Sequence, residues 1–262
     1  MLVDQRRNQL LEMVRARRFA SLPELVEQLA VSESTVRRDL EYLEEQGVAK
    51  RIHGGVLYAG DSPTLPHFEE QSAHWDEKRA VARAAVELIE PGDSLLLDGG
   101  STTYEVARLL LGRRLHIVTN SLPVANLFAG NTAAEVVLVG GNICPRSGVM
   151  HGPLANEMIA KFRVRKVMLS VAGINDEGFF NNNLLFVETE QAMIRSADEV
   201  IVVADSSKFG RRSLTHVCRL DEVAHLVVDE GISDEWRKKI LAAGVDLRVG
   251  RLAERVESET RR

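Results

Sequence analysis

The sequence predicts an α/β protein in two parts, a small helical module that ends in a hairpin and a larger module built on a mostly parallel, doubly wound sheet. Continuous apolar runs that alternate with amphipathic helices predict the larger module, because helices bury both faces of such a sheet. A stretch with Gly60, Pro63 and Pro66 and no steady periodicity predicts a linker. We therefore expect an N-terminal domain over residues 1–59, a linker over 60–75, an α/β domain over 76–250 and a charged tail over 251–262.

The N-terminal module has the pattern of two helices joined by a tight turn. The first helix lies in SLPELVEQLA, and Ser32 is placed to cap the second. In the second helix Val36, Leu40 and Leu43 form an apolar stripe, and Gly47 closes the helix. The following VAKRIHGGVLYAG predicts a strand, a Gly-Gly turn and a second strand. This order is typical of a winged helix-turn-helix.

The polar stripe of the second helix and the hairpin carry the candidate DNA contacts. In this fold the second helix lies in the major groove, where arginine binds guanine edges or phosphates through paired hydrogen bonds. Basic and acidic residues balance over residues 1–59, so a solvated face or a protein-binding surface is the alternative. The basic residues lie on the first helix, the second helix and the hairpin, and this placement favours DNA binding. The predicted DNA-binding residues are Ser32, Ser34, Thr35, Arg37, Arg38, Lys50, Arg51 and His53.

The larger module contains strand-like apolar runs with helical patterns between most of them. The runs begin at Ser94, Leu115, Ala134, Lys166, Glu199 and Ala224, and VDLRVG from Val245 is a candidate edge strand. Helices are predicted in TYEVARLLLG, SLPVANLFAG, PLANEMIAKF, TEQAMIRSA and DEWRKKILAAG. The stretch FFNNNLLF, from Phe179 to Phe186, is predicted to be a loop near the entrance of a site.

Small and hydrogen-bonding residues follow the predicted strands where each strand ends. In LLLDGGSTT, Asp98 ends a strand, two glycines allow a close approach to a ligand, and the next helix offers unpaired N–H groups to a phosphate. A simple helix cap and a tight turn are the alternative. Because the carboxyl ends of parallel strands gather at one edge, we favour a polyhydroxylated, phosphorylated ligand, with Lys208 supplying positive charge. The predicted effector-binding residues are Asp98, Gly100, Ser101, Thr102, Thr103, Thr119, Asn120, Gly141, Gly173, Asp205 and Lys208.

One family resemblance covers most of the chain. LPELVEQLAVSESTVRRDLEYLEEQGVAKRIHGGV resembles the DNA-binding signature of the DeoR family of bacterial transcription regulators, and the resemblance continues through LLLDGGSTT, IVTNSLPVAN and VVADSSKFGR. It implies that the second half is a sugar-phosphate sensor whose fold is similar to that of ribose-5-phosphate isomerase. One departure is Gln71, where the family usually has arginine, so ligand binding or interdomain coupling is expected to differ there.

Sensor and enzyme are competing interpretations of the α/β half. A sugar isomerase needs a carboxylate base and a group that stabilises an oxyanion, and Asp98, Glu188, Asp205 and Lys208 are suitable residue types. The acidic loop and glycine-rich lysine segment of the isomerase have no counterpart here, and fusion to a DNA-binding module suits a sensor. A constitutive architectural DNA-binding protein leaves the polar strand ends without a purpose. The sequence therefore predicts a repressor of a carbohydrate-catabolism operon, released from its operator by a phosphorylated sugar or polyol, with no catalytic residues.

Composition restricts the partners and the compartment. No apolar run approaches the ~20 residues that span a bilayer, and the N-terminus lacks the apolar block of a signal peptide. Cys144 and Cys218 form no Cys-x-x-Cys pair and the histidines have no metal spacing, so neither a metal nor a cofactor is expected. We expect a cytoplasmic protein, with no membrane partner, that binds double-stranded operator DNA. A homodimer or homotetramer is expected because one recognition helix reads few base pairs.

Overall fold

The computed structural model describes residues 3–17, 19–45, 49–52, 55–58 and 74–253. The chain divides into two compact units, Met1–Pro66 and His67–Arg262. The predicted linker up to residue 73, the tail from residue 254, and Gly47, His53 and Gln71 lie outside the described residues. No helix in the described part of the chain is long and apolar enough to cross a membrane.

The first unit combines three helices with a small antiparallel sheet in its described part. The helices are α1 (Val3–Arg17), α2 (Leu22–Leu29) and α3 (Glu33–Glu45), and the strands are β1 (Phe19–Ser21), β2 (Ala49–Ile52) and β3 (Gly55–Tyr58), in the order β1-β3-β2. The hairpin β2–β3 was predicted, whereas β1 was missed because three residues are too few to show an alternating pattern. Val36, Leu40 and Leu43 of α3 are buried as predicted. The unit is a winged helix-turn-helix.

Asp39 ties α1 to α3. This carboxylate is only 2% exposed and accepts hydrogen bonds from Arg6 Nε at 2.5 Å and Arg7 Nε at 3.1 Å. The Arg7 guanidinium also lies 3.7 Å from the centre of the Tyr42 ring. The basic residues of the first helix were expected to face DNA. Contrary to that expectation, Arg6 and Arg7 neutralise the buried carboxylate of Asp39, because a buried charge without a partner costs free energy.

The second unit is built on a fully parallel seven-stranded sheet. The strands are β4 (Ser94–Leu97), β5 (Leu115–Thr119), β6 (Ala134–Leu138), β9 (Val164–Ser170), β12 (Ala197–Ala204), β14 (His225–Asp229) and β15 (Asp246–Gly250). Their order in the sheet is β15-β14-β12-β9-β4-β5-β6, and every neighbouring pair runs parallel, which confirms the predicted fold class. Strand β15 lies at an edge, as predicted.

Helices cover both faces of this sheet. They are α4 (Trp75–Ala85), α5 (Ser101–Leu109), α6 (Leu122–Leu127), α7 (Pro153–Ile159), α8 (Leu184–Arg195) and α9 (Asp234–Ala242). Successive side chains of a strand point to opposite faces. Accordingly, Leu95 and Leu97 of β4 pack with α4, α5 and α6, whereas Leu96 packs with α7, α8 and α9.

Short antiparallel strands interrupt the alternation of strands and helices that the sequence predicts. A hairpin is formed by β7 (Asn142–Cys144) and β8 (Val149–His151), and a small sheet by β10 (Gly173–Asn175), β11 (Gly178–Asn181) and β13 (Thr215–Cys218). The prediction of a loop over FFNNNLLF is wrong, because Phe179 and Phe180 are buried in β11 and Asn183 caps α8 with its side chain. Asn181 and Phe186 of this stretch line the cavity described next.

Candidate functional site

A cavity of about 470 Å³ lies where the carboxyl ends of the parallel strands meet. Asp98 follows β4, Asn120 follows β5, Ser170 ends β9 and Asp205 follows β12, and all four line the cavity. The predicted effector residues that the fold brings to the cavity are Asp98, Gly100, Ser101, Thr102, Asn120, Asp205 and Lys208. The parallel sheet therefore gathers these side chains as the strand-end pattern predicts.

Four predicted effector residues do not line this cavity. The hydroxyl of the fully buried Thr119 donates to the Leu97 carbonyl at 2.8 Å, so it fixes the register of two strands. Thr103 is also fully buried, on the inner side of α5. Gly141 and Gly173 approach other parts of the backbone, where a Cβ atom would lie 3.0 Å from the His151 carbonyl oxygen and 2.5 Å from that of Arg211, respectively.

The two glycines after Asp98 are required by neighbouring protein atoms. A Cβ atom on Gly99 would lie 2.1 Å from Val149 Cγ2, and one on Gly100 would lie 1.5 Å from Ser170 Oγ. Gly100 is also the N-cap of α5 and offers no side chain to the helix. The alternative in which Ser101 or Thr102 caps this helix is therefore excluded, and the positive end of α5 is directed at the cavity.

Two lysines bring positive charge to the cavity. Lys208 Nζ lies 3.8 Å from Asp205 Oδ2, and Asp205 is completely buried. Lys78 of α4 lines the same cavity and is only 5% exposed. Burial lowers the pKa of Lys78 and the neighbouring Lys208 lowers it further, while the charge of Asp205 raises it. An anion bound here would remove the repulsion between the two lysines.

Two buried carboxyl groups lie at the same cavity. Asp98 accepts hydrogen bonds from the backbone nitrogens of Gly100 and Ser170 at 3.0 and 2.7 Å, and the Ser170 hydroxyl donates to it at 3.0 Å. Glu190 of α8 accepts one from the Asn181 side chain at 2.7 Å. Burial raises the pKa of Asp98, and burial together with the charge of Asp98 raises that of Glu190 to about 8.

The sequence prediction did not assign Lys78, Ser170 or Glu190 to the site, and two of these three residues carried a signal. Lys78 is buried with Val81, Ala82 and Ala85 on one side of α4, and Glu190 follows Val187 by three residues on α8. A charge within an apolar helical stripe indicates a functional or paired group. Ser170 has no such pattern, because only the tertiary fold brings it to Asp98.

The second candidate surface is the start of α3. The Ser32 hydroxyl lies 3.0 Å from that of Ser34 and 2.8 Å from that of Thr35, so three hydroxyl groups cluster at the helix N-terminus. Arg37 and Arg38 follow on the exposed face of the helix. This arrangement matches the recognition end of a helix that enters the major groove.

Two exposed arginines of this surface have acidic partners. Arg37 Nη2 lies 2.7 Å from Glu33 Oε1, one turn earlier in α3. Arg51 of β2 pairs with Glu44 at 2.7 Å, and the neighbouring Lys50 is also exposed. Both pairs are accessible to solvent, so their partners can be exchanged for DNA phosphates.

Comparison with known proteins assigns both units. A family model described as the DeoR-like helix-turn-helix domain matches residues 6–61, and one described as the DeoR C terminal sensor domain matches residues 73–230. The chain belongs to the DeoR family. This DeoR-family protein is therefore a transcriptional regulator, with a DNA-binding first unit and a sensor as its second.

Full-length DeoR-family relatives support the assignment. The glycerol-3-phosphate regulon repressor of Escherichia coli (strain K12) is 34% identical over 227 residues, which cover 86% of this chain and 90% of the relative. The transcriptional repressor AccR of Agrobacterium fabrum is 33% identical over 250 residues, which cover 91% and 96%. Among solved structures, ribose 5-phosphate isomerase A of Methanocaldococcus jannaschii is 18% identical, with a TM-score of 0.39 over 52% of this chain and 55% of that one. A likeness of that size carries no functional argument.

Proposed function

We propose that this regulator represses a carbohydrate-catabolism operon and that a phosphorylated sugar or polyol releases it from its operator. The observation that carries the proposal is the meeting of Lys78, Lys208 and the uncapped N-terminus of α5 at one polar cavity. Lysines and helix N-termini both bind phosphate. The relative named for glycerol-3-phosphate supports the same class of ligand.

The remainder of the cavity suits a polyhydroxylated molecule. Asn120 and Asn181 offer amide groups, and Ser101 and Thr102 offer hydroxyl groups beside the helix N-terminus. These groups donate and accept hydrogen bonds in the way that adjacent hydroxyl groups of a sugar require. A volume of about 470 Å³ is within the range of small-molecule sites.

Release from DNA requires that the ligand favour the arrangement that does not bind the operator. A tenfold preference for that arrangement corresponds to about 1.4 kcal/mol of coupling free energy. We propose an assembly that is at least dimeric, because paired recognition helices read half-sites roughly 34 Å apart, or a multiple of that distance. The ligand then acts by changing the relative placement of two DNA-binding heads.

The phosphate site is tested by replacing Lys78 with methionine. Lys78→Met keeps the length of the side chain and removes its charge, so we expect calorimetric titration with phosphate esters to show a loss of affinity of about 100-fold. Lys238→Met is the matched control, because Lys238 is exposed on α9 and does not line the cavity. Equal affinities for the wild type and Lys78→Met would remove Lys78 from the site.

A sugar-phosphate isomerase is the alternative function, and the buried carboxyl pair favours it. A carboxyl with a pKa of about 8, such as that of Glu190, is suited to general acid–base chemistry near neutral pH. We propose that the protein binds its ligand without converting it. Incubation with pentose and hexose phosphates is expected to leave their composition unchanged by NMR, whereas sustained turnover that Glu190→Gln abolishes would establish the enzyme.

A further inference from the structure

Glu190 is a buried acid whose second oxygen has no donor. The residue is 8% exposed and lines the cavity, and Asn181 holds only its Oε1 atom. Among the described residues nothing forms a hydrogen bond with Oε2. A buried polar atom of this kind costs free energy unless something satisfies it. Because the atom belongs to a cavity-lining residue, a ligand is the group that can satisfy it.

Of the two carboxyl groups, Asp98 and Glu190, Glu190 is the one that carries the proton. Burial raises the pKa of both groups, but Asp98 collects two backbone N–H donors and one hydroxyl donor, which favour its carboxylate. Glu190 has the single amide of Asn181 and lies close enough to Asp98 for that charge to raise its pKa. Two buried carboxyl groups that interact electrostatically disfavour ionisation of both, so one group of the pair keeps its proton. Glu190 therefore presents an O–H donor.

Glu190 and Lys78 reach the cavity from different sides of the sheet. Lys78 is on α4, which packs with Leu95 and Leu97, whereas Glu190 is on α8, which packs on the opposite face with Leu96. A ligand that directs its phosphate to α4 and α5 therefore extends its other end toward α8. The buried amide oxygen of Asn120, 3% exposed and with no hydrogen bond among the described residues, is a further acceptor for a ligand hydroxyl.

We propose that Glu190, positioned by Asn181 and carrying the proton of the Asp98–Glu190 pair, determines specificity by binding an uncharged hydroxyl or carbonyl oxygen at the end of the ligand away from its phosphate. This inference rests on the proposed function. It restricts the effector to phosphate monoesters with an uncharged far end, and it excludes bisphosphates and phosphorylated sugar acids. A second anion at that end would be repelled by the buried charge of Asp98, away from Lys78 and the N-terminus of α5, which offset this repulsion at the phosphate end.

Three pairs of phosphate esters test the inference in the full-length protein. Each pair differs only at the far end, which is CH₂OH in one member and carboxylate in the other: glycerol 3-phosphate and 3-phosphoglycerate, ribitol 5-phosphate and 5-phosphoribonate, glucitol 6-phosphate and 6-phosphogluconate. By calorimetry at pH 7 we expect the alcohol to bind at least about tenfold more tightly than the acid in the pair whose length fits best. Equal affinities within every pair would overturn the inference.

Two variants separate the role of Glu190 from that of the phosphate site. Glu190→Gln retains a hydrogen-bond donor at this position. We therefore expect this variant to bind the CH₂OH phosphate ester more tightly than inorganic phosphate by the same factor as the wild type does. Glu190→Met has no donor and is expected to lose about tenfold of that preference, with its affinity for inorganic phosphate unchanged. An unchanged preference in Glu190→Met would overturn the inference and leave the phosphate site intact. If the wild type binds neither inorganic phosphate nor any ester, the proposed function itself fails.

Discussion

The two charged surfaces of this protein differ in how much water reaches them. On α3, Arg37 and Glu33 are 62% and 59% exposed, so water weakens their ion pair and either group exchanges partners readily. In the cavity, Lys78, Asp98 and Glu190 are each less than a tenth exposed. Water does not screen these charges, so the surrounding residues determine which groups are protonated. Exposure suits reversible binding to many phosphates, and burial suits discrimination between small ligands.

The difference predicts separate responses to salt and pH. Operator binding should weaken steeply as the salt concentration rises. The reason is that basic side chains release cations from the DNA phosphates when they bind, and this release is less favourable at high salt. Ligand binding and the stability of the second unit should instead respond to pH through Glu190. Four substitutions test whether the two surfaces are separate in this way.

The largest effect is expected for Glu190→Gln in the stability of the second unit. The pKa of Glu190 is raised from 4.5 to about 8 in the folded chain, so between these pH values the folded state keeps a proton that the unfolded state loses. The contribution of Glu190 to the stability of the wild type is therefore largest below pH 4.5 and is lost as the pH rises to about 8. In urea unfolding, the free energy of unfolding of Glu190→Gln relative to that of the wild type should increase across this range, by at most roughly 5 kcal/mol.

Glu188→Gln is the matched control for that measurement, since Glu188 is exposed on the same helix. It should give no pH-dependent difference from the wild type. A constant difference between Glu190→Gln and the wild type from pH 5 to 8.5 would mean that Glu190 is not held protonated.

Gly100→Ala is expected to have the next largest effect, because it removes the close approach on which the cavity depends. The new Cβ would lie 1.5 Å from Ser170 Oγ and displace a donor of Asp98. Overpacking of this kind costs about 1–3 kcal/mol, so we expect a lower melting temperature together with lost ligand binding. Gly140→Ala, where no atom lies within 4 Å of the new Cβ, should leave both unchanged. Ligand binding at wild-type affinity in Gly100→Ala would contradict the geometry of this turn.

Arg38→Ala tests the exposed surface. Arg38 lies on the exposed side of α3, and loss of a base or phosphate contact costs about 1–3 kcal/mol. Fluorescence anisotropy should show a corresponding loss of operator affinity. The affinity for the phosphate ester that binds most tightly to the cavity should be unchanged. Arg163→Ala, which removes an exposed arginine of the second unit, is the control. A variant with full operator affinity would exclude Arg38 from the interface.

Glu33→Gln should give the smallest effect, and in the opposite direction. Glu33 holds Arg37 one helical turn away, an interaction of roughly 0.5 kcal/mol. Without this competitor Arg37 is free for DNA, so operator affinity should rise about twofold at low salt and return to the wild-type value at high salt. Glu27→Gln, an exposed change on α2, should have no effect. Weaker operator binding by Glu33→Gln would indicate that Glu33 itself contacts the DNA.

The sequence predicted those parts of the molecule that periodicity determines. Buried strands and amphipathic helices appear in the pattern, and parallel strands necessarily bring Asp98, Asn120 and Asp205 to one edge. The sequence did not reveal that Ser170 donates hydrogen bonds to Asp98. The two residues are 72 positions apart, and the pairing of their strands brings them together. Glu190 was missed although it follows Val187 by three residues on α8, because a charge within an apolar stripe does not show which cavity it lines.

In the proposed mechanism, a ligand in the cavity controls the exposed DNA-binding surface. The most direct measurement is operator affinity by fluorescence anisotropy, with and without a saturating concentration of the phosphate ester that binds most tightly. We expect the ester to weaken operator binding by at least about tenfold in the wild type and not at all in Lys78→Met, which should still bind the operator normally. Release of Lys78→Met by the same ester, or no release of the wild type, would show that the cavity does not control operator binding.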